Sequence, residues 1–408
     1  MRTVVLCATL LAVAGPSRAG AQALTLTESE ALGRLSPDSP RVRAIRGSID
    51  LARADLLAAS RWPNPRVTFN RESVAGITED ITTVLQPLPV TGRRGLDVEA
   101  ASALLDASSR RADDVLRRVR ADLRVAFAQL IAAQVREREL TAAHDRLRGL
   151  VDVLTKREAV GDTAGFDRLR AEREVLDIDA DRAAAATDRA RSQAAVASFL
   201  AEAIDPFRVV AVEDVTPRVA LPTIEALAER AESARGELLA LGKEIDAARL
   251  ARRAADRRRI PEPEIVAGTK SSNAGGGDLG SIVAVQAVVP LFDRGRAERA
   301  LADARASQAA SRAEVLRRAV RTEIAALRAA VEERRATAER YRSAAVNGAD
   351  QIERIAQVSY DAGERGILEL LDAYRTGSAA RIRQTALDLT VRLAEIELEL
   401  VSGWEIPS

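Results

Sequence analysis

One cysteine and one histidine are all that 408 residues contain. Cys7 lies in the first apolar segment, so the remainder has no thiol. That excludes disulfide staples, CxxC redox chemistry and thiolate metal sites. His144 stands alone in an Arg/Glu-rich helical stretch and reads as a solvated helix-surface side chain. A zinc or copper site of ordinary ligand type cannot be built from so few ligands, so no metal centre or cofactor is expected. Aromatic residues are 3% of the chain, too few for a large globular core. Beyond the N-terminus no run of about 18 apolar residues occurs, which excludes a transmembrane helix. Charge of one sign is also lacking: 61 basic residues face 60 acidic ones, interleaved as on solvated helix faces. That balance argues against nucleic acid as a partner. No nucleophile–base pairing or cofactor loop is evident, and Gly275-Gly276-Gly277 lacks a following Lys-Ser/Thr, so catalysis is not expected.

What is present begins with an export signal. Arg2 supplies a positive start, Val4 to Ala14 a short apolar stretch, and Ala21-Gln22-Ala23 an A-x-A cleavage site. Residues 1–23 read as a signal peptide, with an amphipathic buried helix as the other possibility. Charged residues are 30% of the chain, and Ala, Leu, Arg and Glu dominate. This is the composition of long helices packed through small residues. An exported chain of this kind is either soluble or crosses a membrane as a β-barrel, the other structure that satisfies every backbone group in lipid.

The chain reads as one unit written twice, 24–220 and 221–408. Pro63-Asn64-Pro65-Arg66-Val67 recurs as Pro261-Glu262-Pro263-Glu264-Ile265, and Gln86-Pro87-Leu88-Pro89-Val90 as Ala287-Val288-Val289-Pro290-Leu291. Val119, Leu123 and Leu130 match Val320, Ile324 and Val331, and Gly161 and Gly165 match Gly363 and Gly366. A constant offset over such punctuation is the mark of a tandem duplication. Each copy predicts a helix (Ser39–Arg61; Gly236–Arg259) ended by Pro-x-Pro. A hairpin follows, over 66–88 and 264–289. Its strands are Arg66–Ser73 with Ile81–Leu88, and Glu264–Ser271 with Ser281–Val289. Val67 and Phe69 alternate with polar neighbours; the other three runs alternate poorly. A long amphipathic helix comes next, Leu96–Ala159 and Ala297–Tyr360, about 90 Å at about 1.5 Å per residue. A returning helix closes each copy, Phe166–Leu200 and Ile367–Val401.

Four strands leave two open edges, which lipid does not tolerate. Three chains would supply twelve strands, enough to close around a lumen. Long helices with small apolar residues also call for neighbours of the same kind. The same geometry therefore asks for oligomerisation twice.

At this point the chain resembles the TolC family of outer-membrane efflux proteins, over essentially all of Leu24 to Trp404. The resemblance rests on the order of elements and on three segments: Pro-Asn-Pro before strand one, Pro-Leu-Pro-Val-Thr-Gly-Arg-Arg-Gly after strand two, and Val-Pro-Leu-Phe-Asp-Arg-Gly-Arg after strand four. It rests above all on Ser359-Tyr360-Asp361-Ala362-Gly363-Glu364-Arg365-Gly366-Ile367-Leu368-Glu369-Leu370-Leu371-Asp372-Ala373, similar to the family's pattern at a periplasmic helix turn. It implies a mainly α fold with a small β part: long coiled-coil-like helical hairpins in a trimeric α-barrel, and four strands per chain in a shared 12-stranded transmembrane β-barrel. The implied role is the passive exit duct of a tripartite pump in the cell outer membrane, mostly periplasmic. Its implied partners are a periplasmic adaptor and an inner-membrane transporter of RND type.

The resemblance also implies site residues. Tyr360 and Arg365 match an entrance latch. Glu369 and Asp372 match an acidic ring at the pore entrance, with Glu369 where an aspartate is common; a solvated outer face is the alternative. Val160-Gly161-Asp162 and Ala362-Gly363-Glu364 match adaptor-docking tips, and both turns also suit plain helix capping. Trp62 suits an interfacial aromatic belt or the joint between barrel and helices. In wording the chain looks most like the heavy-metal cation efflux branch, with drug-efflux and type I protein-secretion ducts as alternatives. A soluble periplasmic coiled-coil adaptor is the rival from another class.

Overall fold

The computed structural model describes residues 23–160, 165–200, 204–214 and 219–405. The expected signal peptide lies outside the described residues. In chain order the elements are β1 (Leu24–Leu26), α1 (Glu28–Gly33), α2 (Pro40–Ser60), β2 (Arg66–Val74), β3 (Ile77–Pro87), α3 (Arg93–Ala159), α4 (Gly165–Ala197), β4 (Val209–Ala211), α5 (Ile224–Ala234), α6 (Gly236–Arg257), β5 (Pro263–Ser272), β6 (Asp278–Ala287), α7 (Arg296–Tyr341), α8 (Asn347–Asp361) and α9 (Ile367–Ser402). They form two compact units, one of Ala126–Asp214 with the segment up to Arg34, the other of Leu35–Val125 with Val215–Ser408.

In the first unit, β1 and β4 form a short parallel pair that the sequence pattern did not reveal, being only three residues a strand. Side chains stand in for further strands. The Gln134 amide donates to the Ala211 carbonyl at 2.8 Å and accepts from its N–H at 2.9 Å. Gln193 donates to the Val209 carbonyl at 2.8 Å. A buried amide so satisfied fixes backbone that has no sheet to join. Thr27 and Glu30 make a capping box on α1, and Leu26, Phe127, Leu130, Val196 and Val209 are fully buried.

In the second unit, Leu227 and Ala231 of α5, Val320, Ile324 and Val331 of α7, and Ala394, Leu398 and Val401 of α9 form one apolar cluster. These include the α7 positions whose steps of three and four predicted the helix face. Arginines tie the helix ends. Arg117 donates to the Ala234 and Leu400 carbonyls, both at 2.6 Å. Arg335 reaches the Val219 carbonyl and Glu395, both at 2.8 Å. Arg124 meets Glu399, itself 4% exposed, at 2.6 Å. The Asp114 carboxylate accepts the N–H groups of Gly236 and Glu237 at 3.1 Å, capping α6 where its own flanking residue offers no side-chain cap. Gly236 has to be glycine, since a Cβ there would strike the Arg110 carbonyl.

The helix expected over Ala297–Tyr360 is not continuous. A single π turn, Arg342–Val346, separates α7 from α8. Arg342 at its start donates from Nη2 to both carboxylate oxygens of Asp388 of α9, at 2.7 and 2.9 Å. Such a turn inserts a residue without ending the helix, and a periodicity reading passes over it. By contrast α3 runs 67 residues unbroken, about 100 Å.

The two hairpins join into one antiparallel sheet, ordered β2-β3-β5-β6. The expected strand Ile81–Leu88 begins earlier, at Ile77, and Ser281–Val289 is displaced to Asp278–Ala287. The first hairpin turns through Ala75 and Gly76, φ 50° and 83°. Left-handed backbone at both positions suits a tight two-residue hairpin turn, so pairing extends to the tip. The acidic Thr78-Glu79-Asp80 run looked like loop. In the sheet Glu79 is paired with Lys270 and Asp80 with Arg71, both at 2.6 Å.

Register sorts side chains that the linear pattern left mixed. Val67 lies opposite Val84, which lies opposite Ala267, which lies opposite Val283. Phe69, Thr82, Thr269, Ile265 and Val285 share that face, and its large apolar members are exposed. The reverse face carries Arg66, Glu264 and Gln286 in one network, with contacts of 2.6 and 2.9 Å, and a Thr68–Thr83 hydroxyl pair at 2.6 Å. Arg71 and Asp80 pair on the first face nearer the hairpin tip, so its apolar band suits lipid from the middle of the strands toward the helices, and the other face suits water. Among the described residues the outer edges of β2 and β6 are unpaired.

Candidate functional site

The turn between α8 and α9 is built by its glycine. Gly363 has φ 74°. Its N–H donates to the Tyr360 carbonyl at 3.0 Å, and the Glu364 N–H to the Ser359 carbonyl at 2.8 Å. Those two bonds are the Schellman pattern, which needs the left-handed residue after the cap. Ala362, Gly363, Glu364 and Arg365 are all exposed, so this tip is accessible. Val160, at the end of α3 in the other unit, is exposed too, while Gly161 and Asp162 lie outside the described residues.

Beyond the turn, Ile367, Leu370, Leu371 and Ala373 are buried, and the opposite stripe of α9 carries Glu369, Asp372 and Arg375, all exposed. Glu369 is the third residue of its helix, and its carboxylate folds back over Gly366, 3.3 Å from where a Cβ would stand. A negative charge in the first turn is favoured by the unsatisfied N–H groups there. Asp372 pairs with Arg375 at 3.0 Å. The two expected ring residues thus share one accessible face. Sequence reading missed Arg375, although an Asp-x-x-Arg spacing on a helix signals such a pair.

The expected latch residues part company. Tyr360 is buried, whereas Arg365 is exposed and its N–H donates to the Ser359 carbonyl at 3.3 Å. Further polar contacts join α8 to α9. The Tyr374 hydroxyl donates to the Gln357 side-chain carbonyl, and the Gln357 amide donates to both oxygens of Asp361 at 3.0 Å. Deeper, Arg381 meets Asp350 and Glu353, each at 2.7 Å. The Glu353 side chain lies across Gly377, where any Cβ would collide with it. Arg381 and Glu353 are only 18% and 15% exposed, so water replaces a lost partner poorly for either charge. Arg381→Met is therefore expected to cost about 2–3 kcal/mol, read as a lower thermal midpoint by circular dichroism. Adding Glu353→Gln should recover much of it.

In the first unit Arg168 bridges α4 to α3, its Nε 2.5 Å from Glu158 and Nη1 2.6 Å from Glu172. The hydrogen bond to Glu158, then that to Glu172, holds its pKa above the ordinary guanidinium value. His144 departs from expectation. Its ring is mostly buried, with Nδ1 3.1 Å from Asp145 and Nε2 3.6 Å from Asp179 on α4. Among the described residues no group of three or more His, Cys, Asp or Glu could hold a metal ion. Arg94 lies over the Trp62 ring, 5.4 Å from its centroid, and donates to the carbonyls of Ser60 and Arg61. Trp62 therefore belongs at the joint of α2, β2 and α3.

Comparison with known proteins places this architecture. No family model matches the sequence. The cobalt-zinc-cadmium resistance protein CzcC of Cupriavidus metallidurans is 22% identical over 360 residues, 88% of this chain and 85% of that protein. The nickel-cobalt-cadmium resistance protein NccC of Alcaligenes xylosoxydans xylosoxydans is 26% identical over 270 residues, 63% of this chain and 59% of that one. The crystal structure of the CmeC outer membrane channel of Campylobacter jejuni superposes with a TM-score of 0.74 at 12% identity, over 92% of this chain and 85% of that one. Fold and sheet chemistry agree with these likenesses: the chain has the fold of the TolC-like outer-membrane channels and is similar along most of its length to the metal-resistance protein CzcC.

Proposed function

We propose that three copies of this chain enclose one pore, the passive exit duct of a tripartite efflux system that carries metal cations out of the cell. The sheet carries the reading: one face has an apolar band around Val67, Phe69, Val84, Val283 and Val285, with the Arg71–Asp80 pair beyond it toward the hairpin tip; the other face carries the Arg66–Glu264–Gln286 network; and both edges are open. In lipid such a sheet is stable only inside a closed barrel, and three sheets of four strands close one. The two sequence halves are a tandem duplication, and residues 1–23 are an export signal removed from the working protein.

Cargo follows the metal-resistance relatives. On this reading the duct catalyses nothing; an inner-membrane pump, of RND type, supplies the energy. Glu369 and Asp372 ring the entrance. Arg365, exposed at the tip, latches it against a neighbouring helix, and Tyr360 stiffens the turn behind it. Val160, Gly161 and Asp162, with Ala362, Gly363 and Glu364, form the tips on which a periplasmic adaptor docks.

Deleting the gene in its native host should raise intracellular cobalt, zinc or cadmium several-fold under metal challenge, measured by plasma mass spectrometry. Complementation should restore the parent level. Unchanged metal with new sensitivity to organic drugs would overturn the cargo assignment.

A further inference from the structure

We infer the strand register at the seam between two copies of this chain, with the unpaired edge of β6 seated on the unpaired edge of β2 of a second copy; this rests on the three-copy reading above. The chain contains the template for that seam, because β3 and β5 already join one hairpin to the next.

The two hairpins are geometric equivalents. Val67 opposes Val84 as Ile265 opposes Val285, and Phe69 opposes Thr82 as Ala267 opposes Val283. The strand exits agree as well. The Val90 N–H donates back to the Leu88 carbonyl, and the Leu291 N–H to the Val289 carbonyl, both at 2.9 Å across a proline. So β3 stands for β6, with Leu88 at Val289, and β5 stands for β2, with Ile265 at Val67.

Within the chain β3 pairs with β5 so that Gln86 opposes Ile265, Val84 opposes Ala267 and Thr83 opposes Gly268. Carried to the open edges, Ala287 opposes Val67 of the second copy, Val285 opposes Phe69 and Ala284 opposes Asn70. This register keeps Val285, Ala287, Val67 and Phe69 on one face, so the apolar band continues across the seam. A one-residue slip would turn that band inward.

Burial points the same way. Thr91 is 8% exposed, held at 2.8 Å by the Glu262 carboxylate. Its equivalent Phe292 is 96% exposed, and Val288, Val289 and Leu291 beside it are exposed as well. At the seam this apolar run lies against Asn64 and Pro65 of the second copy, as Leu88 to Thr91 lie against Glu262 and Pro263.

The geometry makes a clean test. Leu88 donates to the Pro263 carbonyl and Asn273 to the Thr78 carbonyl. Thr83 and Gly268 therefore fall at a non-hydrogen-bonded position, where facing side chains come closest. Ala284 and Asn70 inherit it. Inside one chain those two residues sit on opposite edges of the four-stranded sheet, about 14 Å apart across the strands at about 4.8 Å per strand, and four residues out of line as well, since the row through Asn70 ends at Gly280; that is too far for a disulfide. The only native cysteine is Cys7.

The full chain carrying Asn70→Cys with Ala284→Cys, oxidised in isolated outer membranes, should run as a reducible covalent trimer without reductant. Thr68→Cys or Glu72→Cys with Ala284→Cys, two residues off register, should cross-link at least tenfold less. More cross-linking from either slipped pair would overturn the register and leave the trimer intact. A trimer by sedimentation that no pair cross-links would overturn the seam itself. A monomer by sedimentation would overturn the three-copy reading.

Discussion

Phe69→Arg is expected to abolish assembly in the outer membrane, while Thr68→Arg, one residue away, leaves it near the parent level. The two positions sit near the middle of β2 on opposite faces. Phe69 lies in the apolar band with Val84 and Val285. An arginine there faces hydrocarbon, at roughly 2–4 kcal/mol per chain, three times over in a trimer. That is comparable to the whole stability of a small domain. Thr68 faces the polar side, beside Thr83 at 2.6 Å. Its replacement loses one hydroxyl pair, about 1 kcal/mol, and puts a charge into water. Membrane fractionation and unheated gel electrophoresis read both outcomes. Equal loss at the two positions would mean the sheet is not sided as described.

The long helices, the Pro-x-Pro breaks and the hairpins were legible in the sequence because each has a local cause. Proline removes a donor, and apolar residues at steps of three and four mark a helix face. The sidedness of the sheet was not, because only β2 alternates by itself. In β5 the run Ile265-Val266-Ala267 puts apolar residues on both faces, and polarity emerges only when Thr68, Thr83 and Gln286 are stacked by register. The π turn at Arg342–Val346 keeps helical composition on both sides, so no residue type announces it. The Arg381–Asp350–Glu353 contact joins residues some thirty positions apart and depends on the gap at Gly377. At the tip, glycine punctuation was readable and gave the turn. The Asp372–Arg375 pair is equally readable by spacing, three residues apart on one helix.

That pair changes the electrostatics expected of the proposed entrance. From Asp361 to Arg375 the tip carries Asp361, Glu364, Glu369 and Asp372 against Arg365 and Arg375. The net is two negative charges per chain, hence six when three tips converge. Glu369→Gln with Asp372→Asn removes two per chain and brings the entrance to neutrality. Focused fields in a narrow throat act on ions in proportion to that net charge. Cation preference, read as reversal potential in a potassium chloride gradient across a planar bilayer, should then fall several-fold toward none. Arg375→Gln works in the opposite sense. It frees Asp372, takes the net from six to nine, and should steepen cation preference. Both shifts should shrink at high salt, since the screening length drops from about 10 Å at 0.1 M to about 3 Å at 1 M. Opposite shifts from neighbouring residues cannot arise from general loosening of the helices, which would move both variants the same way. If all reversal potentials match the parent, this face of α9 looks outward to bulk water, and the narrowest part of the pore lies elsewhere.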